Sequence, residues 1–181
     1  MKILYTSDQV TQRVKDMAQE IINTYPTDKP LFVCLLKGAV PFASQLLTAI
    51  TEINPAFYPE VEYMHVSAYG DKREASEATT YSSIAENVVR GRDVIVLDDC
   101  LDRGFTYQDA KRQLLDQGAV SVKLVVLAHK QTGETGRETP FLVGFDTPDV
   151  WLVGMGMDDA AHAPEAERWA SYIGHVSPEQ S

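Results

Sequence analysis

Cysteine is nearly absent from this chain: Cys34 and Cys100 are the only two among 181 residues. That is too few for the disulfide framework of a small secreted scaffold, and both lie in apolar strand contexts, so both are read as buried thiols in a reducing compartment. No apolar run approaches the about 20 residues that cross a bilayer. The opening Met1-Lys-Ile-Leu-Tyr5 lacks the apolar core of a signal peptide, which gives a cytoplasmic expectation with no membrane partner. Basic residues are also scarce. Sixteen Lys and Arg stand against 26 Asp and Glu, a formal charge of −10. A nucleic-acid partner is therefore not expected, because binding a phosphate backbone takes a basic stripe. Repeats, low-complexity tracts and linkers are missing too. Together with 44% apolar and 23% charged residues, this fits one globular domain over residues 1–181.

What is present alternates between two periodicities. Thr6-x-x-Gln9 fits a capping box, and Val10, Val14, Met17, Ile21 and Tyr25 follow at helical spacing. Leu31 to Leu36 is a continuous apolar strand, then Lys37-Gly38 leads into a helical pattern of Ala43, Leu46, Leu47 and Ile50. Val61 to Val66 reads as a strand. Residues 67–87 are polar and without period, the kind of insert that serves as a mobile lid or is disordered. Regular structure resumes at Val94, and a helix after Thr106 carries Ala110, Leu114 and Leu115 inward, with Gly118 just past its end. Strands follow at Val122 to Leu127, Leu142 to Phe145 and Val150 to Val153, with a short one near Tyr172 to Gly174. The alternation predicts an α/β fold with a central parallel sheet flanked by helices.

The stretch from Val94 to Thr106 carries the chemistry. Four β-prone apolar residues run into Asp98 and Asp99, then Asp102, Arg103, Gly104, Phe105 and Thr106, and then a helix. A buried parallel strand looks like that run. The acids are accordingly placed in the loop at its carboxyl end, where open α/β sheets bind ligands. Gly104 allows a tight turn, and the amides around it open a helix N-terminus suited to a phosphate. Acids for sugar hydroxyls or a metal, beside a phosphate cradle, imply a phosphorylated sugar. Cys100 is not expected to be a nucleophile, since neighbouring carboxylates disfavour the thiolate.

This segment resembles the phosphoribosyl-pyrophosphate signature of type I phosphoribosyltransferases: a hydrophobic run, two acids, two variable residues, Asp, Thr, Gly, one variable residue and Thr. Asp98, Asp99, Asp102, Gly104 and Thr106 stand on that pattern, and Arg103 replaces the usual Thr. Further matches, from about Leu31 to Gly174, narrow the resemblance to the 6-oxopurine branch, the hypoxanthine/guanine phosphoribosyltransferases. The resemblance implies a type I phosphoribosyltransferase fold with a small hood formed from the chain ends. It implies transfer of a 5-phosphoribosyl group from phosphoribosyl pyrophosphate to N9 of hypoxanthine or guanine, with Mg²⁺ as cofactor and a homodimer or homotetramer as the assembly.

The site residues follow position by position from the same resemblance. Lys37 and Gly38 look like the pyrophosphate loop, which in the family contains a non-proline cis peptide between the positions of Leu36 and Lys37. Ser67 and Tyr69 stand at the root of the lid, separated here by Ala68. Lys130 matches the lysine that donates to the purine's oxygen at carbon 6, Trp151 the aromatic residue that stacks on the base, and Leu152 the backbone that meets the purine edge. Asp98 and Asp99 are implied to orient the ribose diol of phosphoribosyl pyrophosphate, directly or through the metal, with Asp158 as a further metal-holding acid; Asp102 is the implied base near purine N7, and Arg168 the contact to pyrophosphate. The 5′-phosphate is expected on amides from Arg103 to Thr106. With a largely backbone cradle, the Arg103 side chain is expected to turn outward or lie along the phosphate. The competing readings are a xanthine/guanine enzyme, an RNA-binding regulator on the same fold, disfavoured by the charge of −10, and a receiver domain, disfavoured because its paired acids follow the first strand.

Overall fold

A computed structural model describes residues 1–68, 78–80, 84–157 and 165–176. Strand β1 (Lys2–Tyr5) leads into helix α1 (Ser7–Thr24), and the capping box forms as the spacing predicts. The Thr6 hydroxyl accepts from the Gln9 amide, and the Gln9 side chain accepts from the Thr6 amide. Val10, Val14, Met17 and Ile21 are fully buried along one stripe, and Tyr25 lies just past the helix as its C-cap. The continuous apolar run becomes β2 (Leu31–Leu36), and α2 (Val40–Ile53) follows with a proline in its first turn, where the missing N–H costs nothing.

Six strands form the main sheet in the order β4-β3-β2-β5-β6-β7. Here β3 is Glu60–Ala68, β4 Ala78–Thr80, β5 Asp93–Leu101, β6 Ser121–Gln131 and β7 Leu142–Pro148. The β3, β2, β5, β6 and β7 neighbours pair in parallel, and β4 is an antiparallel edge strand on β3. The chain goes from β2 outward to β3, then crosses back to place β5 on the other side of β2. Strand order therefore reverses between β2 and β5, and a ligand crevice is expected beyond their carboxyl ends. Helix α4 (Phe105–Asp116) leaves the end of β5 directly.

A second, three-stranded antiparallel sheet joins the chain ends in the order β1-β9-β8, with β8 at Leu152–Val153 and β9 at Ile173–His175. It is the hood that the family resemblance implies, and a 3-10 turn at Glu165–Trp169 carries Arg168 toward it.

Several expectations need correction. Asp98 and Asp99 are not in a loop: β5 continues through them to Leu101, because the parallel pairing with β6 runs on past the apolar residues. Lys130 likewise lies on β6, not after it. In α4 the inward face is Tyr107, Ala110 and Leu114, while Leu115 is 43% exposed, since Tyr107 and Leu114 both align with Ala110 at helical spacing. The strand expected over Val150–Val153 shrinks to Leu152–Val153. The polar insert is not wholly irregular: β3 extends to Ala68, and Ser67 pairs with Thr79 of β4. Order also returns before Val94, in α3 (Glu86–Val89), which buries Val89. Cys34 is buried, but Cys100 only half so. The proposed lid residue Tyr69 and the proposed metal ligand Asp158 lie outside the described residues.

Candidate functional site

A cleft of about 310 Å³ opens at the strand-order reversal. Gly38, Asp98, Asp99, Asp102, Thr106, Lys130, Trp151, Leu152 and Arg168 all line it, from sequence positions as far apart as the loop after β2 and the 3-10 turn. Lys37, Arg103, Gly104 and Phe105 are not on its wall. Lys37 is exposed, and the Leu36–Lys37 peptide before it is cis.

On one side of the cleft, Gly104 caps α4 with φ +85°, a left-handed conformation that other residues adopt only with strain. The first amides of a helix have no intrahelical acceptor, so those at the start of α4 are available to an anion beside the Thr106 hydroxyl. The Arg103 side chain turns outward. It is 47% exposed, and its Nε lies 4.0 Å from Glu134 Oε1.

Behind these amides are the two strand-borne acids. Asp98 is only 8% exposed, and its Oδ1 accepts from the Asp99 amide at 3.0 Å, while Asp99 Oδ1 accepts from the Cys100 amide at 2.9 Å. Burial, then the adjacent Asp99 charge, pushes the Asp98 carboxyl well above the ordinary carboxylate range. Asp99 is also raised by burial, with its hydrogen bonds and the charge of Arg168 pulling the other way. Two carboxylates crowded in low dielectric make a site that gains from a neighbouring cation. Burial, followed by the charges of these acids, pushes the Cys34 thiol up to about 12. The Cys100 thiol is raised as well, by burial and then by Asp99. Neither thiol is poised as a nucleophile.

Also on the cleft wall, the Lys130 ammonium lies 3.0 Å from Asp102 Oδ2, and its side chain is 8% exposed against 48% for Asp102. The same nitrogen is 5.3 Å from the centre of the Trp151 ring, a cation–π distance. A flat, partly exposed indole, an ammonium and a carboxylate therefore converge on one wall. That arrangement can stack a planar ring while donating to one atom of its edge and accepting from another.

Sequence reasoning missed Gly156 and Met157, which also line the cleft. A Cβ on Gly38 would overlap the Asp99 carboxylate, and one on Gly156 would overlap the Gly38 carbonyl oxygen. The hood and the Lys37-Gly38 loop thus touch backbone to backbone. Arg137 was missed as well: it binds the backbone carbonyls of both Asp102 and Lys130. Only a folded chain brings those carbonyls together.

Comparison with known proteins places this geometry in context. The model of the phosphoribosyl transferase domain family matches residues 1–160. The hypoxanthine-guanine phosphoribosyltransferase of Bacillus subtilis (strain 168) is 31% identical over 177 residues, covering 98% of this chain and 93% of that protein. The protein of the same name from Streptococcus thermophilus (strain CNRZ 1066) is 30% identical over 178 residues, covering 98% and 94%. Among solved structures, a hypoxanthine phosphoribosyltransferase from Staphylococcus aureus superposes with a TM-score of 0.84 at 26% identity, over 99% of this chain and 92% of that one.

Proposed function

The chain belongs to the phosphoribosyl transferase domain family, among the hypoxanthine-guanine phosphoribosyltransferases of purine salvage, and from that premise we propose how its own residues divide the work. The substrates are phosphoribosyl pyrophosphate and a 6-oxopurine, hypoxanthine or guanine. The bond between ribose C1 and the pyrophosphate oxygen breaks, purine N9 forms the new bond to C1, and the purine gives up one proton. The products are IMP or GMP and pyrophosphate.

The observation that carries this reading is the Lys130–Asp102 pair beside Trp151, in the same cleft as Thr106 of the helix start and the acidic strand end. Oxygen 6 and N7 are neighbours on one purine edge. An ammonium and a carboxylate already in contact suit those two atoms, Lys130 donating to the oxygen and Asp102 taking the N7 proton as general base. A cation at carbon 6 also rejects adenine, which would present a donor to a donor. Trp151 stacks on the ring and Leu152 offers backbone groups to its edge. The α4 amides from Arg103 to Thr106 hold the 5′-phosphate, while Lys37, Gly38 and Arg168 meet the pyrophosphate. Holding both substrates in one cleft supplies much of the rate, because it replaces a chance encounter with fixed geometry.

Mg²⁺ belongs to this proposal. Among the described residues no three His, Cys, Asp or Glu converge as a metal cage, but Mg²⁺ is ordinarily held by one or two carboxylates together with substrate oxygens. Asp98 and Asp99 offer such a pair, and the raised Asp98 carboxyl marks a site where a cation relieves repulsion. Asp158 is the third proposed ligand. The bound ion would neutralise charge on the departing pyrophosphate. Lid closure from Ser67 and Tyr69, a homodimer or homotetramer, and a cytoplasmic location complete the reading. Among the described residues, no helix is long and apolar enough to cross a membrane.

A spectrophotometric panel tests it. Hypoxanthine, guanine, xanthine and adenine are offered separately with phosphoribosyl pyrophosphate and Mg²⁺. Nucleotide should form from hypoxanthine or guanine and not from adenine. Preferred use of xanthine moves the chain to the xanthine/guanine reading, and no product from any base removes the activity.

A further inference from the structure

The segment between β6 and β7 contains no residue that the motifs marked, yet it reaches both members of the base-side pair. Arg137 lies there, half-buried and off the wall of the cleft. Its Nη1 donates to the backbone carbonyl of Asp102 at 2.6 Å and to that of Lys130 at 3.0 Å. Where these contacts fall is informative. The last registered β5–β6 pair is Leu101 with His129. Asp102 and Lys130 are the next residue on each side, just where the ladder of backbone hydrogen bonds stops. One guanidinium nitrogen bridges the gap that the ladder leaves open, and the two side chains meet again at 3.0 Å.

The strands themselves are already held by their own pairing, so this bridge is not needed to keep β5 beside β6. It acts on Asp102, which lies past the end of β5, and on the β5-facing side of Lys130, whose other side is paired with Thr147 of β7. Arg137 Nε is buried without a hydrogen-bond partner, an unfavourable placement that the two carbonyl contacts must offset. The same segment approaches the phosphate loop once more through Glu134, 4.0 Å from Arg103. That second contact is between exposed groups and is weak.

We propose that Arg137 is a positioning residue for the base side: by bridging the Asp102 and Lys130 carbonyls past the end of the β5–β6 ladder, it sets the spacing of the carboxylate and ammonium that receive the purine edge. This rests on the reading of the site given above. The effect is indirect, through the backbone of two residues that touch the purine. Small displacements of such groups are costly, since a shift of about 1 Å can lower a rate about 100-fold.

The test compares Arg137→Met, which keeps length and removes the donors, with Arg137→Lys, which restores a donor. Steady-state kinetics with purine and phosphoribosyl pyrophosphate varied separately are read beside thermal melting. Arg137→Met should lower kcat/KM for the purine by roughly 10- to 100-fold and leave KM for phosphoribosyl pyrophosphate within about twofold. Arg137→Lys should recover most of the loss. Unchanged purine kinetics overturn the inference. So does a loss shared equally by both substrates that tracks the melting temperature and is not recovered by Lys. Should Arg137→Met not fold, Arg137→Leu, which also lacks a donor, carries the same comparison, judged by the same split between substrates. Wild-type turnover in each assay separates the two levels. No wild-type turnover removes the reading of the site, whereas an active wild type with unaffected variants removes only the role of Arg137.

Discussion

The proposed phosphate side and the proposed base side line one cleft, yet they are built by opposite means. The phosphate side is one continuous stretch: the end of β5, a glycine cap and the first turn of α4. Its donors are mainly backbone amides. The base side is assembled from separated segments, with Asp102 past β5, Lys130 on β6, Trp151 before β8 and Arg137 from the connection after β6. Its working groups are side chains, held by an ion pair, a ring face and a guanidinium. A backbone device tolerates side-chain exchange, and a side-chain device does not. That difference sets the expected sizes of mutational effects.

The largest effect is expected where the base side does chemistry. Asp102→Asn keeps the shape but removes the proton acceptor beside Lys130. A general base ordinarily contributes about 10²- to 10⁴-fold, so kcat should drop by that order while purine KM barely moves. Single-turnover measurements at saturating substrates would show it. An unchanged kcat takes the base role from Asp102 and leaves the comparison without its chemical half.

The same contrast explains what could be read before folding. The parallel sheet was legible because β2 and β5 carry uninterrupted apolar runs that only a doubly covered strand tolerates. The phosphate side was legible because its parts are contiguous, so one ordered string names the acids, the cap and the helix start. Even there the strand end was misplaced, since the pairing of Asp98 with Val126 and Cys100 with Ala128 depends on β6 and not on local propensity. The base-side reading rested on resemblance alone. Lone lysines and tryptophans have no local signature, and nothing in Arg137's neighbourhood announces that it will meet two carbonyls from different strands. The contact of Gly156 with Gly38 is hidden for the same reason: each glycine is ordinary until the hood folds over the sheet.

A middle-sized effect tests the place where the two sides join. Gly156 has φ +96°, and a Cβ there would overlap the Gly38 carbonyl, while a Cβ on Gly38 would overlap the Asp99 carboxylate. Gly156→Ala should therefore push the hood off the Lys37-Gly38 loop. Backbone strain of this kind costs about 1–3 kcal/mol, visible as a lower melting temperature. Because both sides depend on this contact, KM for the purine and for phosphoribosyl pyrophosphate should rise together, by roughly tenfold if about 1.4 kcal/mol is lost from binding. A rise confined to one substrate would mean that the join serves that side alone.

The smallest effect is expected at the one departure from the family pattern on the phosphate side. Arg103 is 47% exposed, does not line the cleft, and points toward Glu134 at 4.0 Å. An exposed pair at that separation contributes about 0–1 kcal/mol, so losing it should scarcely matter. In the proposed cradle Arg103 contributes only its backbone, which Arg103→Thr should leave unchanged. The kcat/KM for phosphoribosyl pyrophosphate should accordingly stay within about threefold of wild type, less than the tenfold that about 1.4 kcal/mol would give. A threonine hydroxyl that did engage the phosphate would add a hydrogen bond to a charged group, about 1.5–3 kcal/mol, and would raise the value more than tenfold. A gain of that size would show that side chains govern the phosphate side too, and the contrast between the two halves of the cleft would collapse.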